Sequence, residues 1–171
     1  RLGGRLLLES APLDRPATEW LAGIEAEFAS LPNLRVMRRT TVWGAFDHGV
    51  YGAVERVSDH LPTPGNRVRQ TLWRITSKRA ILAAGATERH IPFANNDRPG
   101  IMLAGAMRAY ANRWAVSPAK RVAIFTNNDD GHRTAQDLAA KGVEIAAVID
   151  SRRDAQSQGS YRTIAGGMVS D

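Results

Sequence analysis

The segment from residue 80 to residue 102 constrains the fold of this chain more than any other part. An apolar run over residues 80–84 ends in small side chains, and Gly85 follows directly. Side chains this small let the backbone pass close to another group, which in an α/β protein is often a dinucleotide. A second apolar run, Arg121–Thr126, then leads into a turn and a helix. The order predicts one dinucleotide-type unit that ends shortly before another begins.

Hydrophobic spacing assigns the other segments to helices, strands and turns. Apolar residues three and four positions apart predict an amphipathic helix over residues 17–31. The predicted strands cover residues 34–38, 42–46, 50–57, 69–76 and 79–84, with a tight turn at 47–49 and a disordered loop at 62–66. A helix over residues 101–114 is followed by a βαβ unit of strand 121–126, helix 131–141 and strand 143–150.

These elements predict an α/β fold in two parts. Residues 1–115 are expected to be the C-terminal portion of a Rossmann-like dinucleotide-binding domain, in which an antiparallel β-meander at about 42–77 replaces a crossover helix. Residues 116–171 are expected to begin a second, degenerate Rossmann-like domain. The sequence opens in mid-motif without an initiator Met or a leader, so we interpret it as a central piece of a longer polypeptide.

Composition excludes several classes of site. The chain is 43% hydrophobic and 23% charged, which is typical of a soluble globular protein, and its apolar runs are shorter than the roughly 18 residues of a membrane span. With no cysteine, it has no disulfide and no thiolate metal site, and this fits a cytoplasmic protein. The net charge is +6, but the basic residues are spread along the chain, which argues against a nucleic-acid partner.

The second unit carries a degraded dinucleotide fingerprint. The three positions at which such a fingerprint places glycine hold Thr126, Asn128 and Gly131. The glycine that remains is the one needed for close packing of helix on strand. Asp129 and Asp130 stand where a pyrophosphate would bind, and their carboxylates would satisfy the helix dipole and repel the anion. We therefore predict a dinucleotide-type scaffold that has lost its cofactor.

Other polar residues give weaker signals. Asp150 ends the second strand of the βαβ unit, where it is either a ribose-binding acid or an ordinary strand-end aspartate. Glu88 and Arg89 are either a functional ion pair or an exposed local one. The histidines have no metal-ligand spacing and are predicted to be satisfied surface or turn residues: His48, His60, His90 and His132. No residue stands in a pattern that indicates catalysis.

Three backbone positions are candidate nucleotide contacts. Gly3 and Gly4 form either a turn that passes beneath a ribose and pyrophosphate or an ordinary Gly-Gly turn. Thr41 and Val42 lie between a short strand and the β-meander, where backbone atoms can contact an adenine. Gly85 supplies the bend after the apolar run.

The motifs together resemble the α subunit of heterotetrameric sarcosine oxidase, over residues 1 to about 153. The resemblance rests on Leu-Gly-Gly at 2–4, Arg-Thr-Thr-Val-Trp-Gly at 39–44 and Ala-Ala-Gly-Ala-Thr-Glu-Arg at 83–89. It continues through Phe-Ala-Asn-Asn-Asp-Arg-Pro-Gly-Ile-Met at 93–102 and Phe-Thr-Asn-Asn-Asp-Asp-Gly-His-Arg-Thr-Ala at 125–135. Generic two-domain flavin reductases share the Ala-x-Gly turn, here at residues 83–85, but usually keep glycines in the second unit.

The resemblance implies a cytoplasmic αβγδ complex that oxidises sarcosine to glycine, reduces oxygen to hydrogen peroxide and passes the one-carbon unit to tetrahydrofolate. FAD and FMN would belong mainly to the β subunit, while the α subunit would hold NAD in a domain like the FAD domain of disulfide reductases. The positions that match the lining of that site are Gly3, Gly4, Thr41, Val42 and Gly85. No catalytic residue would lie in this piece, which by itself would be inactive.

Two other interpretations stay open. The same domain could hold FAD in a related opine or amine dehydrogenase, or in an oxidoreductase of the hydrogen cyanide synthase type, and pass electrons on. Alternatively, both units could be interaction scaffolds that bind no nucleotide. The nucleotide bound by the full-length protein distinguishes these two interpretations from each other and from the NAD-binding one.

Overall fold

The computed structural model describes residues 2–9 and 15–170. The chain divides into two compact units. The first unit comprises Arg1–Gly3 and Thr18–Gly85, and the second comprises Gly4–Ala17 and Ala86–Asp171. This division concerns packing within the segment, so the domain boundary between residues 115 and 116 stays a prediction.

The first unit contains the predicted helix and β-meander. Helix α1 covers Ala17–Ser30, and strands β1 (Thr40–Phe46), β2 (Val50–Arg56) and β3 (Gln70–Thr76) form an antiparallel sheet in that order. A short 3₁₀ turn over Asp47–Gly49 joins β1 to β2, with His48 and Gly49 at positive φ. The predictions of the helix, the three strands and the tight turn are confirmed.

Strand β1 has a β-bulge between Val42 and Gly44, and two of its aromatic rings cover glycines in this sheet. A Cβ atom on Gly52 would lie 2.6 Å from Cζ2 of Trp43, and one on Gly44 would lie 2.9 Å from the ring of Phe46. The Trp43 and Phe46 rings meet edge to face, with centroids 5.6 Å apart. Aromatic rings therefore lie where side chains on both glycines would clash.

The prediction of two strands in the first unit, over residues 34–38 and 79–84, is wrong. Residues 34–38 form an irregular segment that ends in a turn. Residues 79–84 belong to neither sheet, and the side chains of Ile81 and Leu82 are 94% and 92% exposed. The apolar composition of 79–84 favoured a buried strand, but a strand also needs a neighbour for its backbone groups. No strand in the part of the chain that the structure describes pairs with this segment.

The second unit contains the predicted βαβ unit. A 3₁₀ turn over Gly4–Leu8 precedes α2 (Ala104–Trp114), β4 (Arg121–Thr126), α3 (Asp129–Ala140), β5 (Glu144–Asp150) and β6 (Thr163–Ala165). Strands β4, β5 and β6 form a parallel sheet in that order, which confirms the predicted crossover. Helix α2 begins three residues later than predicted because Gly100, at φ +97, forms part of a turn before it.

The core of the second unit lies between its helices and the parallel sheet. Its buried members are Met107, Ala111, Ile124, Ala135, Leu138, Val143 and Val148. Helix α3 supplies the fully buried Ala135 and Leu138, which lie three residues apart on one face of the helix. Helix α3 begins at Asp129, three residues after β4 ends at Thr126, so its N-terminus lies at the carboxyl end of that strand.

Candidate functional site

The predicted nucleotide contacts occupy positions that favour glycine or leave the backbone accessible. Gly3, Gly4 and Gly85 have φ values of +110°, +46° and +72°, a region that L side chains rarely adopt. A Cβ atom on Gly4 or Gly85 would meet no other atom within 4 Å. Thr41 and Val42 are exposed residues on the edge strand β1, and Val42 is 58% exposed.

These five residues are divided between the two units. Gly3, Thr41, Val42 and Gly85 belong to the first unit, whereas Gly4 begins the second. Thr41 and Val42 are neighbours on β1, opposite Val54 and Ala53 of β2. Their assignment as nucleotide contacts stays a prediction.

At the second fingerprint the structure explains why one glycine remains. A Cβ atom on Gly131 would lie 2.4 Å from Cβ of Thr126, so only glycine lets α3 pack this closely on β4. Asn128 is the N-cap of α3, and its side chain accepts a hydrogen bond of 2.9 Å from the backbone N–H of Asp130. The role predicted for Gly131 in helix–strand packing is confirmed.

The two carboxylates at the start of α3 are bound by arginines. Asp129 accepts a hydrogen bond of 2.7 Å from Arg152, which holds the pKa of Asp129 below its usual value. Asp130 pairs with Arg5 and lies 3.4 Å from Arg108. Both carboxylates lie in the first turn of α3, where negative charge is favourable to the helix dipole as predicted, while the N-cap hydrogen bond itself comes from Asn128. Internal ion pairs thus surround the N-terminus of α3.

The strand-end Asp150 is fully buried. Its carboxylate accepts hydrogen bonds from the Arg152 side chain at 2.7 Å and from the Arg152 backbone N–H at 2.9 Å, and it lies 3.0 Å from Nε2 of His132. Hydrogen bonding from Arg152, opposed by burial, lowers the pKa of Asp150 to about 2. These contacts favour the structural interpretation of Asp150 over the ribose-binding one.

The prediction that His132 is a surface or turn histidine is wrong, because its side chain is completely buried. His132 lies one helical turn before Ala135 on the side of α3 that faces the sheet, so helical spacing was the sequence signal that could have revealed it. Its Nδ1 atom has no hydrogen-bond partner among the described residues. The ring of Tyr161 lies beside it, with centroids 6.5 Å apart.

A buried arginine was missed by sequence reasoning. Arg108 of α2 is only 5% exposed and pairs with Glu9 and with Asp137 of α3, each at 2.5 Å. Asn112 donates hydrogen bonds to Asp137 at 2.9 Å and to the backbone carbonyl of Leu8 at 2.6 Å. These contacts bind residues 8 and 9 to α2, and they bind α2 to α3. Glu9 and Arg108 are 99 residues apart, so no local pattern could have paired them.

Glu88 also has a contact that its sequence neighbours did not predict. Its carboxylate accepts a hydrogen bond of 2.8 Å from the backbone N–H of Gly105, in the first turn of α2. A Cβ atom on Gly105 would lie 2.5 Å from the same carboxylate oxygen. Glu88 therefore binds a helix N-terminus, where a negative charge is favourable.

A cleft of about 1280 Å³ lies within the second unit. Every residue from 121 to 128 lines it, together with parts of the segment 86–105 and of α2. Its lining also includes the apolar Ile91, Phe93, Met102 and Leu103 and the charged Arg5, Arg108 and Asp130. Within residues 2–9 and 15–170 no three acidic or histidine side chains are placed to hold a metal ion. No described helix is both long and apolar enough to cross a bilayer.

The fold is shared with a dehydrogenase. The solved structure of L-proline dehydrogenase from P. horikoshii superposes on 97% of this chain and 35% of that chain with a TM-score of 0.64. The two sequences are 21% identical, so the likeness shows the fold alone. The common architecture is mixed α/β, with one antiparallel and one parallel sheet. No protein-family model matches the chain.

Sequence comparison identifies the family. The chain is 47% identical over 152 residues to the sarcosine oxidase alpha subunit of Rhizobium meliloti strain 1021, across 88% of this chain and 15% of that protein. Alpha subunits from Corynebacterium sp. strains U-96 and P-1 are each 39% identical, across 81% and 91% of this chain and 14% and 17% of theirs. The chain therefore belongs to the sarcosine oxidase alpha-subunit family, of which it spans a short segment, and the predicted resemblance is confirmed.

Proposed function

We propose that this chain is the NAD-binding segment of the alpha subunit of a heterotetrameric sarcosine oxidase. The complete complex would oxidise sarcosine to glycine, reduce oxygen to hydrogen peroxide and pass the one-carbon unit to tetrahydrofolate. The observation that carries the proposal is the 47% identity to a sarcosine oxidase alpha subunit over most of the chain. Within the complex this segment holds a cofactor and contributes no catalytic side chain.

The conformations of the predicted contact residues support a nucleotide site in the first Rossmann-like part. Gly85 combines a left-handed backbone with open space where a side chain would stand, as close approach of a ligand to the main chain requires. Thr41 and Val42 offer an exposed stretch of an edge strand. When bound, NAD would supply a pyrophosphate and an adenine for these backbone groups to contact.

The second unit does not fit a dinucleotide. A pyrophosphate at the N-terminus of α3 would meet Asp129 and Asp130, whose carboxylates already bind Arg152, Arg5 and Arg108. Placing another anion there would require breaking these pairs and would add like-charge repulsion. We therefore assign one nucleotide to this segment, and we place it outside the βαβ unit of residues 121–150.

The remaining parts of the proposal concern the whole complex. Its partners are the β, γ and δ subunits, its other cofactors are FAD, FMN and tetrahydrofolate, and its location is the cytoplasm. The relatives are named as alpha subunits, which supports assembly with other subunits.

Analysis of the nucleotide released by the denatured full-length alpha subunit tests the proposal. We expect about one NAD per chain and no yellow colour from the isolated subunit. Release of FAD, with bleaching on addition of an amine substrate, would instead support a flavin-binding dehydrogenase subunit. Absence of any nucleotide would support a scaffold without a functional site.

The variant Gly85→Val tests the position of the site. It places a β-branched side chain in the open space at the bend, and we expect NAD content to fall at least about tenfold, equivalent to about 1.4 kcal/mol. Gly65→Val is the matched control, because Gly65 also has a left-handed backbone (φ +61°) and no atom within 4 Å of an added Cβ, but lies in the loop before β3. Equal loss of NAD in both variants would contradict a site at Gly85.

A further inference from the structure

The 3₁₀ turn Gly4–Leu8 is held in the second unit by polar contacts rather than by burial. None of its residues is buried. Arg5 pairs with Asp130 in the first turn of α3. The carbonyl of Leu8 accepts a hydrogen bond of 2.6 Å from the side chain of Asn112 in α2. The position of the turn therefore depends on charged and amide groups that reach it from the two helices.

A buried arginine anchors this network. Arg108 of α2 pairs with Glu9 and Asp137, each at 2.5 Å. Separating this guanidinium from its partners would leave buried carboxylates unpaired, which is strongly unfavourable. Glu9 is therefore fixed to α2, and it accepts a hydrogen bond of 3.0 Å from Nε of Arg5. The carboxylates of Glu9 and Asp130 thus bind the same Arg5 guanidinium.

The two acids in the first turn of α3 have different partners. Asp129 accepts a hydrogen bond of 2.7 Å from Arg152, which lies just after β5. Asp130 lies 3.4 Å from Arg108 and binds Arg5, which is 125 residues earlier in the chain. Asp130 is thus the member of the pair that reaches the turn beginning at Gly4.

We infer that Asp130 is a positioning residue for the nucleotide site, because through Arg5 it fixes the backbone of Gly4 for contact with NAD. The inference rests on the proposed function, in which Gly4 is one of the backbone contacts. Gly4 has φ +46° and no atom within 4 Å of an added Cβ, so its own packing does not fix it. Close approach of a main chain to a dinucleotide needs accurate placement of the backbone. The degenerate fingerprint thereby supports nucleotide binding through a carboxylate.

Release of NAD from the full-length alpha subunit tests the inference. Asp130→Asn removes the charge that binds Arg5 and keeps the size of the side chain. We expect this variant to release NAD about tenfold faster, because changes at a binding site act mainly on the dissociation rate. Asp129→Asn is the matched control, since it removes the same charge from the same helical turn but from the partner of Arg152. Its release rate should stay within about twofold of the wild-type rate.

A double-mutant cycle separates positioning from a general effect on α3. Arg5→Ala should speed release about as much as Asp130→Asn, and the double variant should be no faster than either, because the two groups form one contact. The Arg5 side chain is 56% exposed, so Arg5→Ala leaves the core of the second unit intact even if a change in α3 does not. Asp130→Glu keeps the charge and should retain slow release.

Three outcomes of the release measurements would overturn the inference. Unchanged release in Asp130→Asn, or equal acceleration in Asp129→Asn, would mean that Asp130 does not position the site. Additive effects in the cycle would mean that Arg5 and Asp130 act on NAD separately. A wild-type subunit without NAD would overturn the proposed function together with this inference, whereas failure of the inference alone leaves the wild-type subunit loaded with NAD.

Discussion

The two units of this chain bury apolar surface to very different extents. In the second unit, helices α2 and α3 pack against a parallel sheet and enclose a core of seven buried residues. In the first unit, the antiparallel sheet buries Ala53, whereas Trp43, Phe46 and Leu72 are more than half exposed. The two sheets each have three strands, so strand number does not explain the contrast.

The contrast indicates that contacts within residues 1–171 contribute more to the stability of the second unit than to that of the first. A parallel βαβ unit of about 30 residues carries its own covering helix, and here Met107 and Ala111 of α2 add to the same core. An antiparallel meander has no such cover, and one face of its sheet needs another element to bury it. We therefore expect substitutions in the second unit to cost much more stability than comparable substitutions in the first.

The largest effect is expected for truncation of a core leucine. Leu138 is fully buried in α3, and Leu138→Ala should lower the free energy of unfolding by about 3 kcal/mol, because the cavity it leaves cannot fully collapse. Leu72→Ala in β3 is the matched variant, with a side chain that is 71% exposed, and should cost less than about 0.5 kcal/mol. Urea unfolding measures both, and similar losses would contradict the contrast between the units.

A pair of glycine substitutions should change stability in opposite directions. Gly131→Ala would place Cβ 2.4 Å from Cβ of Thr126 and should destabilise the second unit by about 2 kcal/mol. Gly23→Ala lies inside α1 with no atom within 4 Å of the added Cβ, and should stabilise the first unit by about 0.5–1 kcal/mol through helix propensity. Thermal unfolding followed by circular dichroism measures both shifts, and a stabilising Gly131→Ala would disprove the close packing of α3 on β4.

Local patterns predicted most of the regular structure correctly. The helix over Ala17–Ser30, the meander strands and the βαβ unit each carry a hydrophobic period or a turn signal within a few residues. The same logic identified Gly131 as a packing glycine, because the spacing of a dinucleotide fingerprint is itself local. Predictions succeeded where the determining contacts lie close together in sequence.

The failures share the opposite cause. An apolar run such as residues 79–84 forms a strand only if a neighbour pairs with it, and composition does not reveal whether one is present. The burial of Arg108 depends on Glu9 and Asp137, which are distant in sequence, and that of His132 depends on Asp150 beneath α3. Buried charges need partners, so their positions follow from the tertiary fold.

The smallest expected effect is on the free energy of unfolding at acidic pH. The pKa of Asp150 in the folded protein is about 2, below the ordinary aspartate value of 3.8, mainly because Arg152 donates hydrogen bonds to its carboxylate. A lowered folded-state pKa stabilises the fold above pH 3.8, and this contribution is lost as the pH falls toward 2, where the unfolded chain binds up to one more proton than the folded chain. Asp150→Asn should therefore flatten the decline in unfolding free energy between about pH 4 and pH 2.

In the first unit, Asp59 provides the comparison for this acid effect. Hydrogen bonding from Gln70 lowers the pKa of Asp59 too, so Asp59→Asn should change the acid profile in the same direction. The change should be smaller and should weaken in high salt, because its ionic partner Arg69 is 78% exposed and well screened by water. Urea titrations at a series of pH values, with and without salt, measure both profiles. If Asp59→Asn flattened the profile more than Asp150→Asn, the buried cluster around Arg152 would not dominate the acid response.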